Sequence, residues 1–250
     1  MSHVPAATRT LRVLRFLAAQ PDPVPLDRIA GALDLPRSTA YHLVNAMIDE
    51  GFVTHIAEDR RYCLGVAAFE VGIGYARQAP LQRIAHRPLA TLVDRIGQSA
   101  HLAVPHGRDV LYVLEERAPG RPPLVTDVGV RLPAHLTASG RAILAALPAR
   151  QVRALYPDRT AFVDRHGKGP ASPSALRALL AETRRRGWAS EDGEVTPGFA
   201  SVAVAVLDHN GTPLAGIATT YDARGDVRLD GLVEAVSSTA HAISRRIGGH

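Results

Sequence analysis

The segment from Pro36 to Ile48 most constrains the fold, because it carries two distinct faces at helical spacing. One face is apolar and predicts a helix packed on a core; it consists of Ala40, Leu43, Val44, Met47 and Ile48. The other face holds only side chains that can donate hydrogen bonds: Arg37, Ser38, Thr39, Tyr41, His42 and Asn45. Because base edges and phosphates offer mainly acceptors, this face suits a DNA major groove. An ordinary amphipathic helix would show the same pattern, so the neighbouring segments must decide between these two interpretations.

Those neighbours predict a winged helix-turn-helix over residues 1–65. Two further helices precede the segment, one with apolar Leu11, Leu14 and Ala18 and one with Leu26, Ile29, Ala30 and Leu33. The turn Asp34-Leu35-Pro36 separates the second of them from the segment. Two short β-type runs around a charged tip follow, which indicates a hairpin or wing. Arg60 and Arg61 in this wing are expected to approach the DNA backbone or minor groove.

Charge and cysteine content bound the class of protein. The formal net charge is +5, yet residues 1–65 hold as many acidic as basic side chains, which is compatible with DNA binding without requiring it. The single cysteine, Cys63, excludes an internal disulfide and a zinc site built from several cysteines. No apolar run approaches the roughly 18 residues of a membrane span, and no signal-peptide core is visible. We therefore expect a cytoplasmic protein with no membrane partner.

The rest of the chain predicts a linker and an α+β domain. Residues 66–80 form a moderately apolar helix, which either contacts a second copy or packs on its own domain. Residues 81–250 mix antiparallel hairpins with flanking helices, which is typical of α+β folds. The predicted strands are 99–104, 109–116, 124–128, 201–207 and 214–221. The main predicted helices are 139–147, 151–156, 174–186 and 229–247.

Three polar stretches in this domain are candidates for a ligand site. Thr137 and Ser139 precede a helix whose free N–H groups favour an anion such as a carboxylate, although plain helix capping explains them too. The acid-rich stretch 191–198 is more typical of a solvated loop. Ser201 and Thr220 carry hydroxyls within strands. No recognised catalytic, phosphate-binding or metal motif is present, so no catalytic residue, metal or cofactor is predicted.

Four motifs in order resemble the IclR family of bacterial transcription regulators. The first is the recognition-helix segment 35–43, and the second is the wing end Tyr62-Cys63-Leu64-Gly65. The third is Leu132-Pro133-Ala134-His135 with Thr137, Ser139 and Gly140. The fourth is Gly187-Trp188-Ala189 with Asp192-Gly193-Glu194 and Pro197-Gly198. The resemblance covers nearly the whole chain.

The resemblance implies a winged-helix DNA reader, a linker helix and a GAF-like effector domain with an antiparallel sheet. It also implies dimers or tetramers that respond to small, often acidic metabolites. Carried onto this chain, the pocket is framed by Leu136, Thr137, Asp192, Ser201, Ala218 and Thr220. Ser201 stands where many members have Cys, and Ala218 where several have Ser. This predicts a less polar pocket and a more apolar effector. Asp34 replaces the usual turn glycine.

The function predicted is a ligand-responsive, DNA-binding transcriptional regulator, a repressor controlling a metabolic operon. Its expected partners are a double-stranded DNA operator, a small carboxylate effector and further copies of itself, as a homodimer or tetramer. One alternative is an enzyme with a DNA-binding appendage, acting on a small carboxylic acid through Asp192 or His135. Another is an interaction module whose winged helix contacts protein.

Overall fold

The computed structural model describes residues 4–78 and 80–248, without the side chains of 75–80. The chain divides into two compact units, Met1–Ala79 and Pro80–His250. Residue 79, near the end of the predicted linker, lies outside the described residues. Within the described part of the chain, every helix is too short or too polar to cross a membrane.

The first unit contains the predicted winged helix-turn-helix and, as α4, the helix predicted as a linker. Its helices are α1 (Pro5–Ala18), α2 (Leu26–Leu33), α3 (Arg37–Asp49) and α4 (Val66–Gln78). Its strands are β1 (Val24–Pro25), β2 (Val53–Ile56) and β3 (Arg61–Leu64), in the antiparallel order β1-β3-β2. The hairpin β2–β3 is the predicted wing, whereas the two-residue strand β1 was not predicted.

Burial agrees with the predicted stripes of α2 and α3 but not with that of α1. Helix α3 buries Ala40, Val44 and Met47 against α2 and α1. In α1 the buried side chains are Val13 and Leu17, while Leu11 is 60% exposed. The helix was predicted correctly and Leu14 packs against the core, but α1 has apolar residues on two sides, and only packing selects the side of Val13 and Leu17.

The turn between α2 and α3 depends on one residue in the left-handed region. Asp34 has a φ of 52° and caps the C-terminus of α2. The N–H of Leu35 then donates to the carbonyl of Ala30 at 2.9 Å, which closes the turn. Asp adopts this conformation more readily than most residues other than Gly and Asn. The turn therefore forms without the glycine expected there.

The second unit is built on a six-stranded antiparallel sheet of order β6-β5-β4-β9-β8-β7. The strands are β4 (Ser99–His106), β5 (Asp109–Glu116), β6 (Arg131–Pro133), β7 (Ala189–Asp192), β8 (Phe199–Leu207) and β9 (Pro213–Asp222). Helices α5 (Pro80–Ile96) and α9 (Leu229–Arg246) pack on one face. Helices α6 (Ala138–Ala146), α7 (Ala149–Leu155) and α8 (Pro173–Arg186) share the core on the other face. The predicted α+β class is confirmed.

Two predicted elements of this unit differ from the structure. Residues 124–128 form no strand; they belong to the connection between β5 and β6. Pro122 and Pro123 just before them lack the N–H groups that a ladder needs. Conversely, Glu191 and Asp192, expected in a solvated loop, end strand β7.

Helix α6 lies unusually close to the sheet because small residues line the contact. The helix and the sheet meet in a cluster of alanines: Ala138 and Ala142 from α6, with Ala189, Ala203 and Ala218 from β7, β8 and β9. A Cβ atom on Gly216 of β9 would lie only 2.7 Å from the carbonyl oxygen of Ser139. A Cβ atom on Gly140 would overlap the backbone of Ala134. The first turn of α6 is thus held between β9 and the segment before the helix.

We predict that Gly140→Ala destabilises the second unit by about 1–3 kcal/mol, because the added methyl group meets backbone that cannot move aside. The measurement is the urea unfolding transition of the full chain. Gly231→Ala in α9 is the matched control, since its Cβ atom would meet nothing within 4 Å. Alanine there should be neutral or slightly stabilising. Equal unfolding midpoints for Gly140→Ala and wild type would contradict the close packing of α6.

Candidate DNA-contacting helix and effector cavity

The predicted DNA-binding side chains of α3 lie mainly on its outer surface. Arg37, Ser38, Tyr41 and His42 are exposed, and Thr39 and Asn45 are half-buried. The helix leaves its buried side, with Ala40 and Val44, to the core. Hydrogen-bond donors therefore occupy the side of α3 that solvent reaches.

Arg37 already has a partner on the same surface. Its Nε atom lies 3.0 Å from Oδ1 of Asp27 on α2, and both side chains are about 70% exposed, at 73% and 69%. An exposed ion pair of this kind contributes little, with a median of roughly 0–1 kcal/mol. Arg37 can therefore exchange Asp27 for a phosphate or a guanine at small cost.

The two arginines of the wing have different surroundings. Arg60 is exposed in the turn between β2 and β3 and has a φ of 51°. Arg61 is exposed too, but its Nη1 donates to the carbonyl of Pro23 at 2.8 Å. Arg61 thus ties the wing to the segment before β1, and Arg60 is the wing arginine placed at the tip.

A cavity in the second unit brings together most of the predicted effector residues. It is narrow: about 20 Å³ can hold the centre of a water molecule, within about 380 Å³ of space between atoms that includes solvent at its mouth. It lies beside the start of α6 and the strands β4, β5, β7, β8 and β9. Its lining residues are His101, Tyr112, Leu124, Thr126, Thr137, Ala138, Ser139, Glu191, Val195, Thr196, Phe199, Ser201, Ala218 and Thr220.

Five of the seven predicted effector residues line this cavity: Thr137, Ser139, Ser201, Ala218 and Thr220. Leu136 does not line it and is buried, with its side chain toward Gly169. Asp192 does not line it either, because side chains alternate along β7 and its own is exposed. The acid of this cavity is its neighbour Glu191, which is 5% exposed.

The carboxyl group of Glu191 is connected to two hydroxyl groups on the neighbouring strands, so that this row of polar side chains crosses three strands. Glu191 pairs with Ser201, and Ser201 pairs with Thr220 in the strand register. The Ser201 hydroxyl donates to Glu191 Oε1 at 2.6 Å and lies 3.0 Å from the Thr220 hydroxyl. Burial raises the pKa of Glu191 to about 7, against the lowering effect of the Ser201 hydrogen bond. This carboxyl can therefore be neutral or charged near neutral pH.

The start of α6 supplies hydrogen-bond donors to the cavity. The Thr137 hydroxyl accepts from the N–H of Gly140 at 3.0 Å and so caps the helix. The N–H groups of Ala138 and Ser139 have no acceptor within the helix. Because Thr137 is the cap, the Ser139 hydroxyl is left for another partner.

Three buried side-chain atoms on the cavity wall have no hydrogen-bond partner among the described residues. They are His101 Nδ1, Ser139 Oγ and Glu191 Oε2. A fourth such atom, His135 Nδ1, belongs to a residue that does not line the cavity. Buried polar atoms are nearly always hydrogen-bonded, so three such atoms around one cavity point to a polar ligand.

The ring of His101 is held in place through Nε2, whereas its Nδ1 has no partner among the described residues. Its Nε2 lies 2.8 Å from the Thr126 hydroxyl and 3.6 Å from Glu115 Oε1. Hydrogen bonds from His101 and from Arg117 lower the pKa of Glu115 to about 2, so Glu115 is ionised. A carboxylate beside Nε2 favours the proton on that nitrogen, which leaves Nδ1 of a neutral ring as an acceptor.

A buried ion pair connects α6 to the segment after β7. Arg141 Nη2 lies 2.9 Å from Glu194 Oε1, and both side chains are largely buried. Arg141 also donates to the carbonyls of His135 at 2.9 Å and Ser190 at 2.6 Å. Removing one partner would leave a buried charge, which typically costs about 3–5 kcal/mol. The pair therefore fixes β7, and with it Glu191, relative to the start of α6.

The polar lining corrects one expectation and shows what the prediction missed. A less polar pocket was expected from Ala218, yet the wall includes His101, Tyr112, Thr126 and Glu191. Burial, followed by the charge of Glu191, raises the pKa of Tyr112, against the lowering effect of the nearby Ser139 and Thr137 hydroxyls. Strand alternation with Ala189 could have placed Glu191 inside, but His101 and Thr126 meet there only through the sheet and the connection after β5.

Family comparisons agree with both parts of the chain. Residues 6–56 match the model of the IclR helix-turn-helix domain. Residues 73–245 match the model of the bacterial transcriptional regulator IclR C-terminal domain. The two matches together cover most of the chain and follow the same order as the two compact units.

Individual proteins show the same similarity. The glycerol operon regulatory protein of Streptomyces coelicolor is 31% identical, covering 98% of this chain and 97% of its own. The transcriptional repressor IclR of Escherichia coli is 29% identical over 86% of this chain and 78% of its own. An IclR homologue of Microbacterium hydrocarbonoxydans, complexed with 4-hydroxybenzoate, shares the fold with a TM-score of 0.82 at 21% identity; the alignment covers 97% of this chain and 98% of that one. The chain therefore belongs to the IclR family of bacterial DNA-binding transcriptional regulators.

Proposed function

We propose that this chain is a repressor of a metabolic operon whose operator affinity is set by a small carboxylate bound in the cavity. One observation carries the ligand part: His101 Nδ1, Ser139 Oγ and Glu191 Oε2 are buried, have no hydrogen-bond partner among the described residues, and belong to residues that line the same cavity. The donors at the start of α6 suit a carboxylate. The related regulators named for metabolic operons, and the homologue complexed with 4-hydroxybenzoate, support this proposal.

The DNA-reading role falls to the donor face of α3 and to the tip of the wing. Arg37 and Asn45 are of the residue types that make paired contacts with guanine and adenine, respectively. Arg60 at the wing tip suits a phosphate or the minor groove. Arg61 contributes by holding the wing in place. Its guanidinium group is less available to DNA because it donates to the carbonyl of Pro23.

A homodimer is the assembly that this DNA reader requires, and a tetramer would pair two such dimers. One recognition helix reads only a few base pairs, so an operator with two half-sites needs two copies. Helix α4 offers a contact, since Val66, Phe69 and Val71 are 70%, 69% and 60% exposed. Such a regulator works where bacterial DNA is, in the cytoplasm. Membership in a family of regulators leaves the enzyme alternative without a supporting observation.

For the DNA-reading role, Arg37→Ala should weaken operator binding by about 1–3 kcal/mol if Arg37 contacts a guanine. Fluorescence anisotropy with the DNA upstream of the chain's own gene, at fixed salt, measures this change. Arg150→Ala removes an exposed arginine of the second unit and should leave the affinity unchanged. Unchanged affinity in Arg37→Ala and Asn45→Ala alike would remove α3 from the reading role.

For the assembly, sedimentation velocity at micromolar concentration should show a dimer or a larger species. Phe69→Glu should shift it toward monomer and weaken operator binding at least about tenfold, because a charge replaces an apolar contact. The control Val163→Glu alters another exposed apolar residue, in the second unit, which is 52% exposed against 69% for Phe69. A wild-type monomer that binds the operator tightly would exclude this assembly.

For the ligand, a thermal-shift screen of small carboxylic acids should find compounds that raise the melting temperature. A ligand at 100 times its Kd adds about 2.7 kcal/mol to the free energy of unfolding. Thr220→Val removes a hydroxyl from the Ser201 chain and should reduce both this shift and the DNA response, with ligand-free DNA binding intact. Thr212→Val, in the exposed β8–β9 turn, is the control. The proposed site is wrong if Thr220→Val responds to the ligand like wild type, as the Thr212→Val control should.

A further inference from the structure

We propose that the groove between α7 and α8 is a second ligand site, which binds a medium-chain free fatty acid. This groove shares no lining residue with the effector cavity, so the proposal depends neither on the effector nor on the operator. It follows from three properties of the groove: an apolar floor, a rim of arginines and a narrow, elongated shape.

The floor of the α7–α8 groove is apolar. Apart from arginines, its lining residues are Ala149, Val152, Tyr156, Pro173, Leu176 and Leu180. The one polar side-chain atom in this set is the Tyr156 hydroxyl, which donates to the carbonyl of Arg108 at 3.1 Å. Arg108 does not line the groove, so the polar group of Tyr156 is used elsewhere. Such a floor favours hydrocarbon over water.

The rim of the groove is positively charged. Three exposed arginines complete the lining, and none of the described lining residues is acidic: Arg153, Arg177 and Arg184. None of the three forms an ion pair within the described part of the chain. Glu182, the one acid of α8, pairs with Arg185 instead. Positive charge without a counter-charge beside an apolar floor favours a ligand that joins a carboxylate to a hydrocarbon body.

One of these arginines is already oriented by the fold. The Nε of Arg184 donates to the carbonyl of Ala145 at 2.6 Å, near the end of α6. This bond fixes the plane of the guanidinium group and leaves its two Nη groups as donors for a carboxylate. The aliphatic parts of all three arginine side chains add to the apolar surface beneath their charges.

The shape of the groove suits an extended alkyl chain. The lining residues of α8 run from Pro173 to Arg184, which is about 16 Å along the helix axis at about 1.5 Å per residue. About 80 Å³ can hold the centre of a water molecule, against about 20 Å³ in the effector cavity. One water needs roughly 10–15 Å³ by this measure, so the groove has room for several.

An acidic amphipathic helix of a partner protein would match the same charges but not this shape. A helix with its side chains is about 10–12 Å in diameter, which is too wide to enter so narrow a groove. A single hydrocarbon chain can reach the floor, and its carboxylate can remain at the rim among the arginines. The observations therefore favour the fatty acid.

The test is isothermal titration calorimetry of the full-length chain with octanoate, decanoate and dodecanoate, near neutral pH and below micelle-forming concentrations. One molecule should bind per chain, and each added CH₂ group should tighten binding roughly two- to fourfold, because more hydrocarbon leaves water. Octan-1-ol and octylammonium, which lack the carboxylate, should bind roughly tenfold more weakly than octanoate, or worse.

Variants of the rim locate the site. Arg153→Gln combined with Arg177→Gln should weaken decanoate binding at least about tenfold, because charge-assisted hydrogen bonds are lost. Arg150→Gln combined with Arg165→Gln removes the same charge from exposed arginines outside the groove, and should leave decanoate binding unchanged.

A variant of the floor tests the hydrocarbon contact separately. Val152→Asp places a carboxylate in the groove at a half-buried position and should abolish decanoate binding. Val163→Asp makes the same change at an exposed apolar residue outside the groove, and should bind like wild type. Urea unfolding curves of all the variants establish that each one folds.

Four results would overturn the proposal: no binding of any of the three acids at about 1 mM, an affinity weaker than roughly 4 kcal/mol; octan-1-ol or octylammonium binding as tightly as octanoate; equal losses in the two arginine pairs; and decanoate binding that survives the rim and floor variants but is lost in Thr220→Val, which would place it in the effector cavity. Each of these results leaves the proposed repressor function standing, because that function is argued from α3 and the effector cavity.

Discussion

The close packing of the first turn of α6 against β9 is the contact on which the second unit depends. Gly216 lets the sheet approach the backbone of Ser139, and a layer of alanines continues the contact. A larger side chain at these positions would lift the helix from the sheet. The start of the helix would then move away from the strands with which it lines the cavity.

Buried polar groups hold this arrangement in register. The Arg141–Glu194 pair joins α6 to the segment after β7, and the Ser201 hydroxyl joins Glu191 to the next strands. Such groups are costly to bury singly but position their neighbours when their partners are present. A ligand that completes the unsatisfied atoms changes the free energy of this unit. It can alter DNA affinity only if it binds the two conformations of the regulator differently.

The sequence predicted much of the fold, and with physical reasons. Apolar spacing identified α2 and α3, turn residues identified the β8–β9 hairpin, and Gly187 with a φ of 81° ends α8 as expected. The prediction failed where the local sequence favoured two structures equally. Helix α1 has apolar residues on two sides, and residues 124–128 combine strand-forming side chains with a preceding proline pair.

The sequence by itself determined the donor face of α3, the order of the elements and the hydroxyls of the cavity, because these depend on residue type and short-range spacing. Tertiary structure alone decided that residues 189–192 form strand β7, in which alternation from buried Ala189 turns Glu191 toward the cavity and Asp192 toward solvent. It also decided that His101 and Thr126, distant from the start of α6 in the chain, line the same cavity. Long-range strand pairing, which no local pattern encodes, brings these groups together.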